Sequence, residues 1–340
     1  MNAPVRIDLN DATSFPSRRV ETWKYTDLQR GLREAPPPSP PGVVDGGGPF
    51  LPLGGDGVVF ANGRAVGADA YVGRGEKTLR LRFVSDAVGT GHTTTVRIAA
   101  QADADLLILE SHEGRGSAYA AHNHLTIDVA ARARVTRIVL VEEPEDAVSI
   151  TEARVNVGEG GVYRQTILTT GARLQRLETR VVHEGHAADV RMDSLYLLSG
   201  NRHTDQTSVV DHVGPNGLTS QLTKGVVRDT ARGVFQGKFI VERGADGTDA
   251  RMGHHALILG ERAEVDAKPE LQIYADDVQC AHGNTVGNLD EAALFYLQQR
   301  GLPLDEARAL LTEAFLREVT DRIEHSAARD LVNQWLTARL

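Results

Sequence analysis

A chain of 340 residues, 41% apolar and 24% charged, is long enough for one large core plus an accessory domain and too apolar to stay unfolded. Its net charge of −9 argues against a nucleic-acid partner, because such surfaces concentrate positive charge. A single cysteine excludes an internal disulfide framework, and no apolar run approaches the roughly 18 residues that cross a bilayer, so a cytoplasmic chain with no membrane partner is expected.

The first segment, residues 1–34, opens with MNAPVRIDLND, which has no apolar stretch of signal-peptide length. Val20, Trp23, Tyr25 and Leu28 make an imperfect helical stripe, which predicts a short helix or turn packed on the main body. Residues 35–49, APPPSPPGVVDGGGP, read as a linker, since proline removes backbone donors and glycine resists ordering.

From residue 50 to 287 the pattern has period two. In HLTIDVAARARV, Leu125, Ile127, Val129, Ala131, Ala133 and Val135 share one parity. Similar runs recur as TTVRIAA, DLLILES, TRIVLVEE, YRQTILT and GKFIVER, with Gly, Asn and Asp between them. The signal is all-β. Periodicity alone leaves a sandwich, a barrel and a β-helix open. The length of the run and its small or β-branched inward residues lean towards the β-helix, whose terminal coils need caps or partner strands.

Residues 288–340 turn helical. Asp290 is placed to cap a first helix and Gly301 to stop it. Asp305 is read as the cap of a second, whose apolar face holds Leu311, Phe315, Val319 and Ile323, widened by Leu304 and Leu310. A last helix carries Leu331, Trp335 and Leu336. A block of this size would be marginal alone, so it docks on the β body, on a partner, or on both.

The lone cysteine lies in DDVQCAHGNTVG. On a strand, Cys280 and His282 share a face roughly 6.5–7 Å apart. A thiolate beside an imidazole suits zinc, copper or iron–sulfur ligation. The plainer alternative is a cysteine packed as a small hydrophobe beside a hydrogen-bonded histidine. One thiol cannot cage an iron–sulfur cluster, which takes about four ligands, chiefly thiolates. Any cluster must therefore sit at an interface. Asp276 and Asp277 diverge on a strand, which argues against an acid pair for glycoside hydrolysis. His122 with His124, His183 with His186, and His254 with His255 read as ordinary surface or turn residues, the last two pointing to opposite faces. GVFQGKF lacks the phosphate-loop spacing, so no nucleotide is expected on this chain.

KPELQIYADDVQCAHGNTVGNLDEAALFYLQQRG, ETWKYTDL, VGPNGLTSQLTKGVV and GVFQGKFIV resemble the SufB/SufD family of the SUF iron–sulfur cluster assembly machinery, and SufD more than SufB. The likeness is most specific from residue 200 onward. It implies a right-handed parallel β-helix, a short N-terminal segment and a C-terminal helical domain. It also implies a non-enzymatic scaffold that pairs with a SufB-like subunit and docks a SufC-like ABC ATPase through its helices. A transient iron–sulfur cluster or iron is expected at the shared interface, with a role in iron entry. His282 is the residue the resemblance assigns to that site, and Cys280 the weaker candidate. Only about 20 residues precede ETWKYTDL, so the longer N-terminal domain of many family members is expected to be missing. Two alternatives stand beside this one: a purely structural subunit with an inert Cys280/His282 pair, and a β-helix polysaccharide lyase, which the low aromatic content of 5% disfavours.

Overall fold

The computed structural model describes residues 5–340. Eighteen strands between Asp56 and Gly287 alternate between two sheets, one of ten strands and one of eight. Within each sheet almost every neighbour is parallel, and paired residues on parallel neighbours, such as Asp56 with Leu79 and Arg232 with Glu264, stand 23 to 32 positions apart in the sequence. Each coil therefore gives one strand to each sheet, and the fold is a parallel β-helix. The sandwich and barrel readings fall away, because consecutive strands never pair with each other beyond one short antiparallel contact near the start.

The alternation seen in the sequence sorts residues between the lumen and two outer faces. Leu125, Ile127 and Val129 point inward with Leu106, Ile108, Val155, Val190 and Phe235 in the main core cluster. Phe60 and Phe83 stack at 5.5 Å, and Phe83 continues onto His112 at 4.6 Å, so a ladder of rings runs from coil to coil. The lumen also holds charge. Arg137 donates to both oxygens of Glu110 at 2.7 and 2.8 Å and to Gln165 at 2.9 Å, and His112 meets the same carboxylate at 2.7 Å.

The turns repeat a backbone shape rather than a residue. Asp103, Arg132, Gly160, Ala187, Asn216 and Gly247 each have positive φ, and each stands two residues before a strand of the ten-stranded sheet. Gly160 and Gly247 suit the left-handed region; Ala187, at φ 54°, does not. Left-handed backbone costs an L-residue about 1–2 kcal/mol, and glycine's extra unfolded-state entropy offsets part of the relief. Ala187→Gly should raise stability by about 0.5–1 kcal/mol in urea unfolding; a loss of stability would contradict this account of the turn.

Both outer faces are covered. The N-terminal segment crosses the eight-stranded sheet, burying Ile7, Leu9, Phe15, Trp23 and Leu28 on Ala120, Val148 and Ile150. Trp23 lies 4.4 Å above the Arg176 guanidinium, and Thr26 donates to Asp205. Beneath them Arg176 pairs with Asp205 and Glu178 at 2.6 and 2.8 Å. Among its described residues the segment has two 3-10 turns, Ala12–Ser14 and Glu21–Trp23, and a short α-helix, α1 (Leu28–Leu32), capped by Asp27. Residues 35–49 carry no helix or named strand, yet they are pinned to the body by the Pro38–Gly91 bridge and by Ser39, which bonds Thr90 and His92.

Three helices follow the last strand: α2 (Glu291–Gln299), α3 (Leu304–Thr320) and α4 (Ser326–Thr337). Leu316, Val319, Val332 and Leu336 pack on Leu109, Leu140, Leu168, Leu195 and Val226 of the ten-stranded sheet's outer face. Arg322 fixes the contact with bonds to Ser220 and Asp193. Asp290 caps α2, accepting from Ala292 and Ala293, and Gly301 follows its end at φ 91°. Asp305 does not cap α3, which starts a residue earlier behind Pro303. The buried face of α3 keeps the expected Val319, with Ile323 just past the helix end, but also takes in Thr312, Leu316 and Thr320, while Leu304 and Leu310 are exposed. No helix among the described residues is long and apolar enough to cross a membrane.

Candidate functional site

The β-helix ends on two strands, Glu264–Ile273 and Gln279–Gly287, each the last in its sheet. Cys280 stands opposite Ala250 and His282 opposite Met252, so both lie on the inward row of the final coil. Among the described residues no further coil covers them. Cys280 is half-buried against the core, and His282 is exposed at the mouth. Burial, assisted by Asp249, pushes the Cys280 thiol up, so it enters metal chemistry only with a metal present to displace its proton.

Asn284 continues the same row two residues on. Its side-chain oxygen lies 2.6 Å from His254 Nδ1, and His254 Nε2 lies 2.9 Å from the Tyr196 hydroxyl. With Asn284 presenting its carbonyl, His254 donates through Nδ1 and accepts from Tyr196 through Nε2. Burial holds His254 down at about 4, so this imidazole is neutral near pH 7, stacked 4.7 Å from Phe235. The relay fixes Asn284 beside His282. Sequence reasoning missed it, although Cys280, His282 and Asn284 are visible in CAHGN as one strand face.

No third ligand gathers around Cys280 and His282 among the described residues. Among the described residues the only set of three or more His, Cys, Asp or Glu groups close enough to share an ion is His122, His124 and Glu152, far from this mouth. His183 is not a surface residue: it ends a strand, fully buried, with its ring 4.9 Å from that of His212. His254 and His255 do point to opposite faces, one into the lumen and one outward. Asp276 and Asp277 lie before the last strand, exposed.

The edge itself is informative. Gln279 N–H bonds inward to Thr248, so by alternation the N–H groups of Cys280, His282, Asn284 and Val286 face the open side. The strand QCAHGNTVG has no proline, lysine or acid along that edge. Its companion is defended: Glu264 and Tyr274 bond inward, which places Pro269 where a missing N–H faces outward, next to Lys268. A nine-residue edge left undefended is a template for another strand.

The fold is a parallel β-helix with packed flanks and one undefended terminal strand. The chain belongs to the SufBD family: the family described as "SUF system FeS cluster assembly, SufBD core domain" matches residues 83–315. It is 32% identical over 215 residues to the iron-sulfur cluster assembly protein SufD of Escherichia coli, covering 63% of this chain and 51% of that one. A SufBD family protein of Synechocystis is 33% identical over 213 residues, 63% of this chain and 47% of its own length. One from Mycobacterium bovis is 28% identical over 360 residues, 94% and 88%. The chain thus spans about half the length of the first two relatives.

Proposed function

We propose that this chain is a non-enzymatic scaffold subunit for iron–sulfur cluster assembly, in which His282 lends one imidazole to a site completed by a second, SufB-like subunit. The observation that carries this reading is the last coil: an undefended edge strand with His282 exposed upon it and Cys280 behind it. Strand addition there would bring the partner's ligands to the mouth, which the thiol count requires. The cluster is cargo, built and released, so a site open on one side and completed from the other suits it.

The helical block, residues 288–340, is assigned to the ATPase partner. Helix α2 buries none of its residues, and Phe295 and Tyr296 remain 63% and 57% exposed, the kind of aromatic surface that partner contacts favour. Between α2, α3 and the Ile258–Glu261 turn lies a cleft of about 880 Å³ lined by Asp229, Leu289, Leu294 and Arg308. The remaining divisions follow the same reading: residues 1–34 as a docked N-terminal segment, 35–49 as its connection and 50–287 as the β-helix core.

Val286→Pro tests the edge. Its N–H faces the open side, so the chain should fold normally yet no longer co-purify with a co-expressed SufB-like chain. Thr285→Pro, whose N–H bonds inward, should instead cost the fold about 3 kcal/mol. Unimpaired co-purification of Val286→Pro would remove the strand-addition model.

A further inference from the structure

The outer face of the eight-stranded sheet carries a second cluster with metal-ligand chemistry. We propose that His122, His124 and Glu152 form a binding site for a divalent first-row transition cation of the zinc class, roofed by the N-terminal segment. His122 and His124 lie two apart on the strand Ala120–Val129 and share a face; Glu152 stands directly opposite His124 on Val148–Val157. One Glu152 oxygen, Oε2, is 3.1 Å from His124 Nδ1 and 3.5 Å from His122 Nε2. The ligand atoms all fall within 4.8 Å of one another, and the imidazole centroids are 4.0 Å apart. A tetrahedral ion with bonds of about 2.05 Å sets its ligands roughly 3.3 Å apart, between the two measured contacts.

His122 is the second, independent observation. It is fully buried, and neither ring nitrogen has a hydrogen-bond partner. At 3.5 Å its approach to Glu152 is too long to satisfy it. A cation accepting the Nε2 lone pair satisfies one of these two unpaired nitrogens. The N-terminal segment packs Ile7 and Leu9 in one cluster with Ile150, the residue opposite His122 on the neighbouring strand. An N₂O set with no thiolate suits zinc or iron(II) rather than an iron–sulfur cluster. The site is separate from the mouth, since its Glu152 strand lies four strands from the end of its sheet, about 19 Å at normal strand spacing.

The test is cobalt(II) titration of the purified full chain, read by visible d–d absorption, with zinc competition. One equivalent should bind in the wild type and equally in the Cys280→Ser/His282→Ala double variant. His124→Ala and Glu152→Gln should weaken that binding at least tenfold; both side chains are partly exposed, and circular dichroism confirms that the variants fold. Zinc should raise the thermal midpoint of the wild type and not of these two. The proposal is overturned by absence of saturable binding in the wild type, by wild-type affinity in His124→Ala and Glu152→Gln, or by loss of binding in the Cys280/His282 variant, which would move the ion to the mouth.

Discussion

Cluster yield should fall at least about tenfold when His282 is replaced by alanine, while the complex with the partner chains still assembles. The two halves of this result come from different physics. His282 is exposed and bonds nothing in the fold, and such surface changes usually stay within about 0.5 kcal/mol of stability. On the proposed reading its loss removes a ligand, and even partners that only orient a ligand are worth about 10–100-fold in metal affinity. His282→Cys should retain much of the activity, because a thiolate from the same strand position is a preferred iron–sulfur ligand. Cys280→Ser should be milder than His282→Ala, since that thiol turns toward the core and is held protonated by burial. The measurement is anaerobic reconstitution of the co-purified complex, followed by iron and sulfide content and visible absorption. Wild-type yield in His282→Ala would leave the inert, purely structural subunit as the better account.

The second large effect is on stability. Arg137→Ala should destabilise the β-helix by about 3–5 kcal/mol, the range for breaking a buried ion pair by deleting one partner. Arg137 and Glu110 are 1% and 0% exposed, and Arg137 is bonded in turn to Gln165, which also accepts from Tyr163. Burial by itself would raise Glu110; Arg137 and His112 more than offset it and hold the carboxyl at about 2. The pH dependence follows in sign. A depressed folded value means that this stabilisation is fully present above the unfolded value of about 4.5 and is lost as pH falls through about 2. Without Arg137 the desolvated carboxyl rises above its unfolded value, so the variant should lose stability as pH rises through the acid range. The double variant Glu110→Leu/Arg137→Met should recover most of the loss. Urea unfolding followed by circular dichroism at several pH values checks all three. A cost below about 1 kcal/mol for Arg137→Ala would mean that water or Gln165 already carries the charge.

Strand alternation was legible because a β-helix sorts side chains with period two, whatever the turns do. The coil repeat was not. Its turns share a left-handed backbone at Asp103, Arg132, Gly160, Ala187, Asn216 and Gly247, and six positions with five residue types leave no repeat to read. The buried face of α3 was only partly legible: Val319 and Ile323 are buried as expected, but Thr312 and Thr320 hide within it. Thr312 donates to the Arg308 carbonyl and Thr320 to Asn333, so both are satisfied where apolar residues were expected. Cys280 and His282 were legible because neighbours two apart on a strand share a face by local geometry alone. His122 was not, because the segment that packs on its sheet face, with Ile7 and Leu9 against Ala120 and Ile150, comes from more than a hundred residues upstream.

The most direct measurement of the shared-ligand claim is pulsed electron paramagnetic resonance on the reduced, cluster-loaded complex, with only this chain carrying ¹⁵N-histidine. The account predicts a ¹⁵N hyperfine coupling to the cluster that disappears when His282 is changed to alanine. A spectrum indifferent to the label, or a coupling that survives in that variant, would contradict it.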